Sequence, residues 1–290
     1  MKILSYLLLL LLWLLHFLPL PILRAIGRFF GRVLFFLIGK RRKIALINLK
    51  KCFPNQSEEW IKKTALKHFE CFACAVLDRT LGWWASEKRL KRLIRLKGEE
   101  LIVENANKPI IILAPHFVGL DAGGVAMAQL RQMSSMFSNQ KNPVFNEVLK
   151  KGRMRFNQPI LVSRQDGLRR IVKTLKQNIP FYYLPDMDLG RKESIFVPFF
   201  DVSTATVPAL SRLCRLTGAK VLSCITKQVK DGYEVEVKAP FDEDFGQNLE
   251  QDTARMNAYI AEEVLKMPQQ YFWLHKRFKT RPEGEPSFYE

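Results

Sequence analysis

Short apolar runs alternate with amphipathic stretches from residue 109 to residue 238, and this alternation restricts the possible folds more than any other feature. Runs of β-branched, aromatic and leucine residues bounded by turn-forming residues are typical of buried strands. They are PIIILA (109–114), PILVS (159–163), FYYLP (181–185), IFVPFF (195–200), KVLSCIT (220–226) and YEVEVK (233–238). Helical periodicity lies between several of them, as in residues 166–178 and 206–218. The order predicts an α/β fold with a central, mostly buried mixed sheet flanked by helices, and an antiparallel edge formed by the last two strands.

A long amphipathic helix is predicted before these strands. Asn55 and Ser57 can cap its start, and the acidic residues that follow favour the first turn. Apolar residues then recur at spacings of three and four as far as Trp84. This periodicity predicts one helix that ends in exposed tryptophans.

The charge balance restricts the partners. Forty-six lysines and arginines against 28 acidic residues give a formal net charge of +18. A surface this basic attracts polyanions, which leaves nucleic acid, anionic lipid headgroups, phosphorylated substrates and acidic proteins as candidates. The sequence has no zinc-finger spacing, no RNA-recognition aromatic motif and no basic leucine-zipper heptads. We therefore predict no nucleic-acid partner.

The N-terminus contains ILSYLLLLLLWLLHFLPLPI (3–22), a run without a charged side chain. About twenty helical residues span roughly 30 Å, the thickness of a bilayer core, so the run predicts an N-terminal transmembrane helix. A cleaved signal peptide is the alternative, but only Lys2 precedes the run and no small-residue cleavage site follows it. Pro19 and Pro21 are expected to end or kink the helix near the interface.

A basic amphipathic segment follows this run. Arginines recur every four residues from Arg24 to Arg32 among aliphatic and phenylalanine side chains, the pattern of a helix lying on a membrane surface. Four cations at residues 40–43 close the segment, and the positive-inside rule places this flank in the cytoplasm. We therefore predict two regions in the chain: a membrane anchor with its basic segment over residues 1–43, and a cytosolic domain over residues 44–290.

The five cysteines do not indicate a disulfide framework, because an odd number fits a reducing compartment. His68, Cys71 and Cys74 fall on one face of the predicted long helix and could begin a metal site. A zinc site needs a fourth ligand at a matching spacing, and none follows. Buried helix cysteines are the favoured interpretation, so we predict neither a metal nor a cofactor.

The candidate catalytic residues follow the first buried strand, in PHFVGLDAGG (115–124). Five residues along a helix rotate two side chains about 140° apart, but a turn that contains Gly119 can bring His116 and Asp121 together. Asp121 could then accept the imidazole N–H and leave the other ring nitrogen as a base for a hydroxyl. The spacing alone is not specific, and a hydrogen-bonded structural histidine is the alternative.

Four longer blocks carry a family resemblance. They are APHFVGLD (114–121), SRQDGLRRIVKTLK (163–176), YYLPDMDLGRKESIFVPFFDVSTATVPAL (182–210) and QYFWLHKRFKTRPEGE (270–285). In this order they resemble the lipid A biosynthesis late acyltransferases, the lauroyl/myristoyl transferases of Gram-negative bacteria, within the wider glycerolipid-acyltransferase superfamily. The resemblance covers nearly the whole chain and implies the glycerol-phosphate acyltransferase type of α/β fold. It maps the general base onto His116 and the acid that orients it onto Asp121.

The sequence departs from its relatives at two places. Members of this family often carry glutamate where Asp121 stands, and the shorter aspartate requires a tighter turn. Glycerol-phosphate acyltransferases usually show asparagine before the histidine and an FPEG block, where this chain has Pro115 and LPDM (184–187). These differences favour the lipid A branch over phospholipid synthesis. An acceptor that is another glycolipid or a phospholipid is the alternative.

The resemblance implies two acidic substrates. The donor is acyl–acyl carrier protein, and the acceptor is a phosphorylated, already acylated glucosamine disaccharide. A hydroxyl of this lipid A precursor loses its proton to His116 and attacks the thioester directly, in a secondary acylation. The implied location is the bacterial inner membrane, single-pass and in contact with anionic lipids, with the catalytic domain on the cytoplasmic side.

Four further residues are predicted to bind substrate. Arg153, Arg164 and Arg277 could grip a lipid phosphate, and Arg164 or backbone amides could stabilise the oxyanion; plain surface arginines are the alternative. Asp186, at the C-terminal end of a strand, could order cations around the site. Asp186 and Asp188 also form a D-x-D pattern, which is typical of metal-dependent glycosyltransferases. That enzyme class and a non-catalytic basic membrane scaffold are the remaining alternatives.

Overall fold

A seven-stranded mixed sheet forms the centre of the protein, in a computed structural model that describes residues 2–163, 167–242 and 244–290. The strands are β1 (Ile94–Lys97), β2 (Ile110–Leu113), β3 (Ser134–Phe137), β4 (Ile160–Ser163), β5 (Phe181–Tyr183), β6 (Ile195–Phe199), β7 (Val202–Thr206), β8 (Lys220–Val229) and β9 (Gly232–Lys238). The helices are α1 (Lys2–Leu15), α2 (Leu20–Leu37), α3 (Gly39–Cys52), α4 (Glu58–Trp84), α5 (Glu87–Leu93), α6 (Glu100–Glu104), α7 (Leu120–Leu130), α8 (Pro143–Arg153), α9 (Gly167–Lys176), α10 (Ala209–Thr217) and α11 (Leu249–Lys266).

The strand order in the central sheet is β1-β9-β8-β2-β5-β3-β4. β8 and β9 are antiparallel, whereas the other neighbouring pairs in the described part of the sheet are parallel. The predicted α/β class, a mixed sheet flanked by helices, is confirmed. β9 is not the edge strand, however, because β1 pairs with it in parallel. The IFVPFF run also lies outside the central sheet, since β6 and β7 form a separate antiparallel pair.

β2 contributes to the core on both of its faces. Ile110, Ile111, Ile112 and Leu113 are all 0% exposed. Because side chains alternate along a strand, Ile111 and Leu113 join one apolar cluster while Ile110 and Ile112 join another. Burial of each such side chain stabilises the fold by about 1.5–3 kcal/mol. The strand is therefore a rigid support for the residues that follow it.

The uncharged N-terminal run is divided between two helices. α1 ends at Leu15, and α2 begins at Leu20 after its N-cap residue Pro19, with Pro21 in the first turn. Proline fits the first turn of a helix, where its missing N–H is not needed, but not a helix interior. α1 has 14 residues, a length of about 21 Å. The single transmembrane helix predicted over residues 3–22 is not found, and no helix among the described residues is both long and apolar enough to cross a bilayer.

Two glycines allow α2 to lie close against α4. A Cβ on Gly27 would come within 2.8 Å of the Cα of Cys74, and a Cβ on Gly31 would come within 2.6 Å of the Cα of Glu70. Both distances are shorter than carbon atoms can approach, so a larger residue at either position would push the helices apart. Leu23 completes the buried face of α2 beside them. The spacing of the glycines thus sets the separation of the two helices.

Arg24 departs from the predicted membrane-facing pattern. Its side chain is 4% exposed and donates to one carboxylate oxygen of Asp78 at 3.0 and 3.1 Å. The hydroxyl of Tyr233 donates to the same oxygen at 2.7 Å. The prediction that Arg24 faces lipid is wrong, because its side of α2 turns toward α4, where the buried carboxylate compensates its charge. Arg28 and Arg32 lie on the exposed side of the helix.

The exposed side of α1 and α2 is largely apolar. Side chains there that are more than half exposed include Leu4, Leu7, Phe29, Phe36 and Leu37. The exposed arginines of α2 lie among them. Apolar and cationic side chains therefore share this surface, as the amphipathic pattern of the sequence indicates.

His68 and Cys74 of α4 are packed inside the protein. Nδ1 of His68 lies 3.1 Å from the carbonyl oxygen of Gln269, and burial lowers the pKa of His68 to about 4. Cys74 is a buried free thiol, and Cys71 is a free thiol of intermediate exposure. The prediction of buried helix cysteines is confirmed for Cys74, whereas Cys71 is partly exposed. In the described part of the chain, no three or more His, Cys, Asp or Glu side chains are grouped as metal ligands would be.

Candidate active site

The backbone around His116 is fixed by the C-terminal segment of the chain. The N–H of Phe272 donates to the carbonyl of His116 at 2.9 Å, and the N–H of Val118 donates to the carbonyl of Gln270 at 2.8 Å. These bonds lie directly beyond β2, whose four residues are fully buried. A side chain supported in this way has a defined direction, as a catalytic group requires.

The imidazole of His116 contacts Asp186. Nδ1 lies 2.7 Å from Oδ1 of the carboxylate, and the backbone N–H of His116 donates to Oδ2 at 3.0 Å. Asp186 follows β5, the strand next to β2, and its side chain is 0% exposed. Burial alone would raise the pKa of Asp186, but the charge and hydrogen bonds of His116 and the charge of Arg277 lower it to about 2. The ionised carboxylate accepts a hydrogen bond from the N–H at Nδ1, which leaves Nε2 of His116 as the basic nitrogen.

Asp121 does not make the hydrogen bond to His116 that the sequence predicts. Its carboxylate instead accepts a hydrogen bond from Nε of Arg79 on α4 at 2.5 Å. Burial opposes ionisation of this group, but the charges of Arg79, Arg153 and His116 outweigh it and lower the pKa of Asp121. The physical reason is the start of α7, which directs its second residue toward α4. Asp121 is therefore an ionised neighbour of His116 and not its hydrogen-bond partner.

An apolar cavity of about 150 Å³ lies beside this turn. Val118, Gly119 and Asp121, which follow His116 closely in the chain, form part of its wall. The apolar part of the wall includes Leu81, Trp83, Leu90, Ala128, Met133 and Phe156. A concave apolar site with few polar groups suits a ligand that is mostly hydrocarbon.

The structure separates the arginines that were predicted to bind substrate. Arg153 is the last residue of α8, is exposed, lies over the ring of Phe137 at 5.5 Å and lines the cavity. Arg277 is 2% exposed and donates to the carbonyl of Ala205 at 3.0 Å. Its predicted contact with a substrate phosphate is wrong, because acceptors in the core hold its guanidinium. Arg164 lies outside the described residues.

The two carboxylates of the D-x-D pattern have different partners. Asp186 contacts the ring of His116, whereas Oδ2 and Oδ1 of Asp188 accept from the backbone N–H and the hydroxyl of Thr280 at 2.7 and 2.8 Å. The N–H of Asp188 also donates to Nε2 of His275 at 3.0 Å. Burial and the charge of Arg277 lower the pKa of His275 to about 4, so its ring is a neutral acceptor. Asp188 thus attaches the C-terminal segment to the site.

The sequence did not reveal two features of this site. Arg79 lies within α4 without a motif around it, so nothing in the sequence marks it. Asp186 was predicted to order cations and not to bind His116. The carboxyl ends of neighbouring parallel strands meet at one edge of a sheet, so the pairing of β2 with β5 is the signal that would have brought Asp186 to His116.

Comparison with known proteins identifies the family. The chain matches the family model of the bacterial lipid A biosynthesis acyltransferases over residues 1–280. It is 32% identical over 283 residues to the lipid A biosynthesis palmitoleoyltransferase of Escherichia coli (strain K12), a match that covers 96% of this chain and 92% of that protein. It is 32% identical over 288 residues to the lauroyltransferase of the same strain, with the same coverage. It is 36% identical over 277 residues to the myristoyltransferase of that strain, with 91% and 82% of the two chains covered. The α/β fold is consistent with these matches, and the chain belongs to the bacterial lipid A biosynthesis acyltransferases.

Proposed function

We propose that the protein transfers a fatty acyl chain from acyl–acyl carrier protein to a hydroxyl group of a phosphorylated lipid A precursor, in a secondary acylation. The observation that carries this proposal is the imidazole of His116, which a buried carboxylate orients and which lies two residues before Val118 in the wall of an apolar cavity. Attack by a hydroxyl requires a base, and a fatty acyl chain requires an apolar site. A base followed in the chain by residues of an apolar cavity supports this reaction, and the proposed reaction uses no cofactor.

His116 is the general base in this mechanism. Nε2 takes the proton of the acceptor hydroxyl while the hydroxyl oxygen attacks the thioester carbonyl. The C–S bond then breaks, and the carrier thiolate takes the proton from the imidazolium. Asp186 and the ionised Asp121 stabilise the positive charge that forms on the ring. General base catalysis of this kind contributes roughly 10²–10⁴-fold to a rate.

The apolar cavity holds the acyl chain of the donor. Its wall runs from the turn after His116 to α8 and contains few charged groups. Arg153 is an exposed cation on that wall, which suits it to pair with a phosphate of the acceptor. Arg79 keeps Asp121 ionised beside the reacting groups.

The exposed apolar side of α1 and α2 supports contact with the membrane that contains the acceptor. Side chains such as Phe29 and Phe36 enter the apolar boundary, while Arg28 and Arg32 reach anionic headgroups. The four cations at residues 40–43 favour a membrane surface that carries anionic lipid, as the cytoplasmic face of the inner membrane does. At that face the protein meets a lipid acceptor and a soluble donor at the same time.

The test is an acylation assay with the purified full-length protein, an acyl–acyl carrier protein and an under-acylated lipid A precursor. Mass spectrometry is expected to show a precursor heavier by one acyl chain. His116→Ala is expected to lower the rate at least a hundredfold while circular dichroism shows an intact fold. No acylated precursor, faster acylation of a phospholipid or of another glycolipid, or full activity of His116→Ala would each overturn the proposal.

A further inference from the structure

Exposed cations border the apolar cavity on two helices, α5 and the C-terminal half of α8. These cations are Lys88, Lys91 and Arg92 on α5 and Lys150, Lys151 and Arg153 on α8. The acidic side chains on these two helices are Glu87, which pairs with Lys91 at 2.8 Å, and Glu147, which is 3.8 Å from Lys151. The surface of these two helices, which we call the α5/α8 surface, therefore has a strong excess of positive charge.

The segment that follows α8 is attached next to α5. Arg155 donates to the carbonyl of Gly82, near the end of α4, at 3.0 Å and also to the carbonyl of Ala85, in the link between α4 and α5. Its charge also acts on Glu87 at the start of α5. Beneath them, Phe156 packs on the apolar cluster that contains Leu90 of α5.

The same two helices form part of the cavity wall. Leu90 and Leu93 of α5 and Leu149 and Gly152 of α8 line it from within. Arg153 is both exposed and part of the wall, so the cavity reaches the surface beside it. A group delivered at the α5/α8 surface is therefore delivered next to the cavity.

We propose that the α5/α8 surface is the docking site for the acidic acyl carrier protein, an inference that rests on the function proposed above. A carrier that holds its acyl chain on a thioester must place the chain in the cavity while its own surface stays outside. Cations around such an opening attract an acidic partner and orient it as it approaches. The carrier docks through its acidic side chains, and the acyl chain enters beside Arg153.

The composition of the surface favours a protein over a membrane as its partner. On α1 and α2 the exposed cations lie among exposed leucine and phenylalanine side chains, which suits insertion into lipid. Over residues 85–97 and 141–156, all of them described, Met154 is the single large apolar side chain of high exposure. A polar, cationic surface without apolar side chains to insert suits the rim of a protein–protein contact.

The test compares two double charge reversals in the full-length protein. Arg92→Glu with Lys150→Glu changes the α5/α8 surface, and neither side chain lines the cavity. Lys62→Glu with Lys63→Glu is the matched control, because it makes the same charge change at exposed positions of α4. Each variant is assayed with acyl–acyl carrier protein and with the same acyl chain on pantetheine, which has no carrier surface.

The docking proposal expects at least a tenfold loss of kcat/KM with acyl–acyl carrier protein in the α5/α8 variant, a weaker dependence of its rate on salt, and an unchanged rate with acyl-pantetheine. Three results would overturn the docking site. They are an equal loss of kcat/KM in the control variant, a loss of the α5/α8 variant's rate with both thioesters, and an α5/α8 variant that loses binding to anionic vesicles but not to the carrier. If the α5/α8 variant retains the full wild-type activity with acyl–acyl carrier protein, the proposed docking site is wrong but the proposed function is not affected. A wild-type protein that cannot use this donor would overturn the proposed function itself.

Discussion

The spacing of the sequence predicts that Asp121 both binds the ring of His116 and stabilises its charge. In the structure Asp186 makes the hydrogen bond to the ring, and Asp121 contributes a nearby negative charge. Asp186 accepts from Nδ1 of His116, whereas Asp121 accepts from Arg79 and acts on the imidazole only through its charge. A direct hydrogen bond fixes the tautomer, and a charge at a distance does not. The two residues are therefore expected to differ in their effect on kcat.

Substitution of each carboxylate by its isosteric amide measures that difference. Asp186→Asn is expected to lower kcat by roughly 10²–10⁴-fold with little change in KM, because an amide N–H facing Nδ1 stabilises the wrong tautomer. Asp121→Asn, the matched control in the same site, is expected to lose about tenfold or less. Steady-state kinetics on lipid A precursor gives both values. A larger loss in Asp121→Asn would instead restore the pairing that the sequence suggested.

Local sequence could predict the residue types of the site but not which of them meet. His116 and its place after a strand follow from PIIILAPH alone. The partner of His116 depends on β5 lying beside β2, and strand order is set by the packing of the whole sheet. Arg24 shows the same limit, because four-residue spacing cannot tell a lipid-facing arginine from one that pairs with a buried Asp78.

At the scale of elements, the contact between α2 and α4 depends on their glycines. Gly31→Ala is expected to destabilise the protein by about 1–3 kcal/mol, because its Cβ would meet the backbone of α4 and not a movable side chain. Gly39→Ala at the start of α3 is the matched control. A Cβ there meets no atom within 4 Å, and the change is expected to be neutral or to stabilise by about 0.5–1 kcal/mol.

Urea unfolding in detergent micelles, followed by circular dichroism, checks both variants. A Gly31→Ala protein as stable as the Gly39→Ala protein would mean that α2 can move away from α4 at little cost. In that case the glycines would not set the distance between the helices.

Helices and strands could be predicted from the sequence where a capping residue or an unbroken apolar run marks them. Ser57, whose hydroxyl accepts from the N–H of Trp60, begins α4 as its sequence predicts, and β2 follows from its unbroken apolar run. β1, β3 and β7 were missed, because IRLK, SSMF and VSTAT are short and carry polar residues that a loop would also accept. Their pairing with neighbouring strands decides their conformation, and that information is not local.

At the scale of the whole molecule, the net charge of +18 is distributed over surfaces of different character. The exposed side of α1 and α2 combines cations with apolar side chains, whereas the α5/α8 surface has six exposed cations, two acidic side chains and Met154 as its one large apolar side chain of high exposure. The cavity wall reaches from the turn after His116 to the second of these surfaces. The proposed lipid acceptor would then approach from the side of α1 and α2 and the proposed carrier from the α5/α8 surface, and Arg153 is the cation at the opening that both would reach.

The stability of the whole fold is expected to decrease as the pH falls from about 6.5 to about 4. Burial lowers the pKa of His68 to about 4, so between these values the unfolded chain binds a proton that the folded protein does not. The stabilisation is complete above the ordinary histidine pKa and is lost toward pH 4, with a magnitude on the order of 3 kcal/mol. His275, whose pKa is also lowered, acts in the same direction, whereas Asp186 acts below pH 4.

Urea unfolding at a series of pH values tests this with His68→Asn as the matched variant. The asparagine amide can donate to the carbonyl of Gln269, as Nδ1 of His68 is placed to do, but it does not titrate. The variant is therefore expected to lose less stability than the wild type between pH 6.5 and 4, whatever its stability at pH 7. If the two proteins lose the same free energy of unfolding, the protonation of His68 is not what makes the folded state sensitive to acid. The contact between α4 and the C-terminal segment must then tolerate a charged ring.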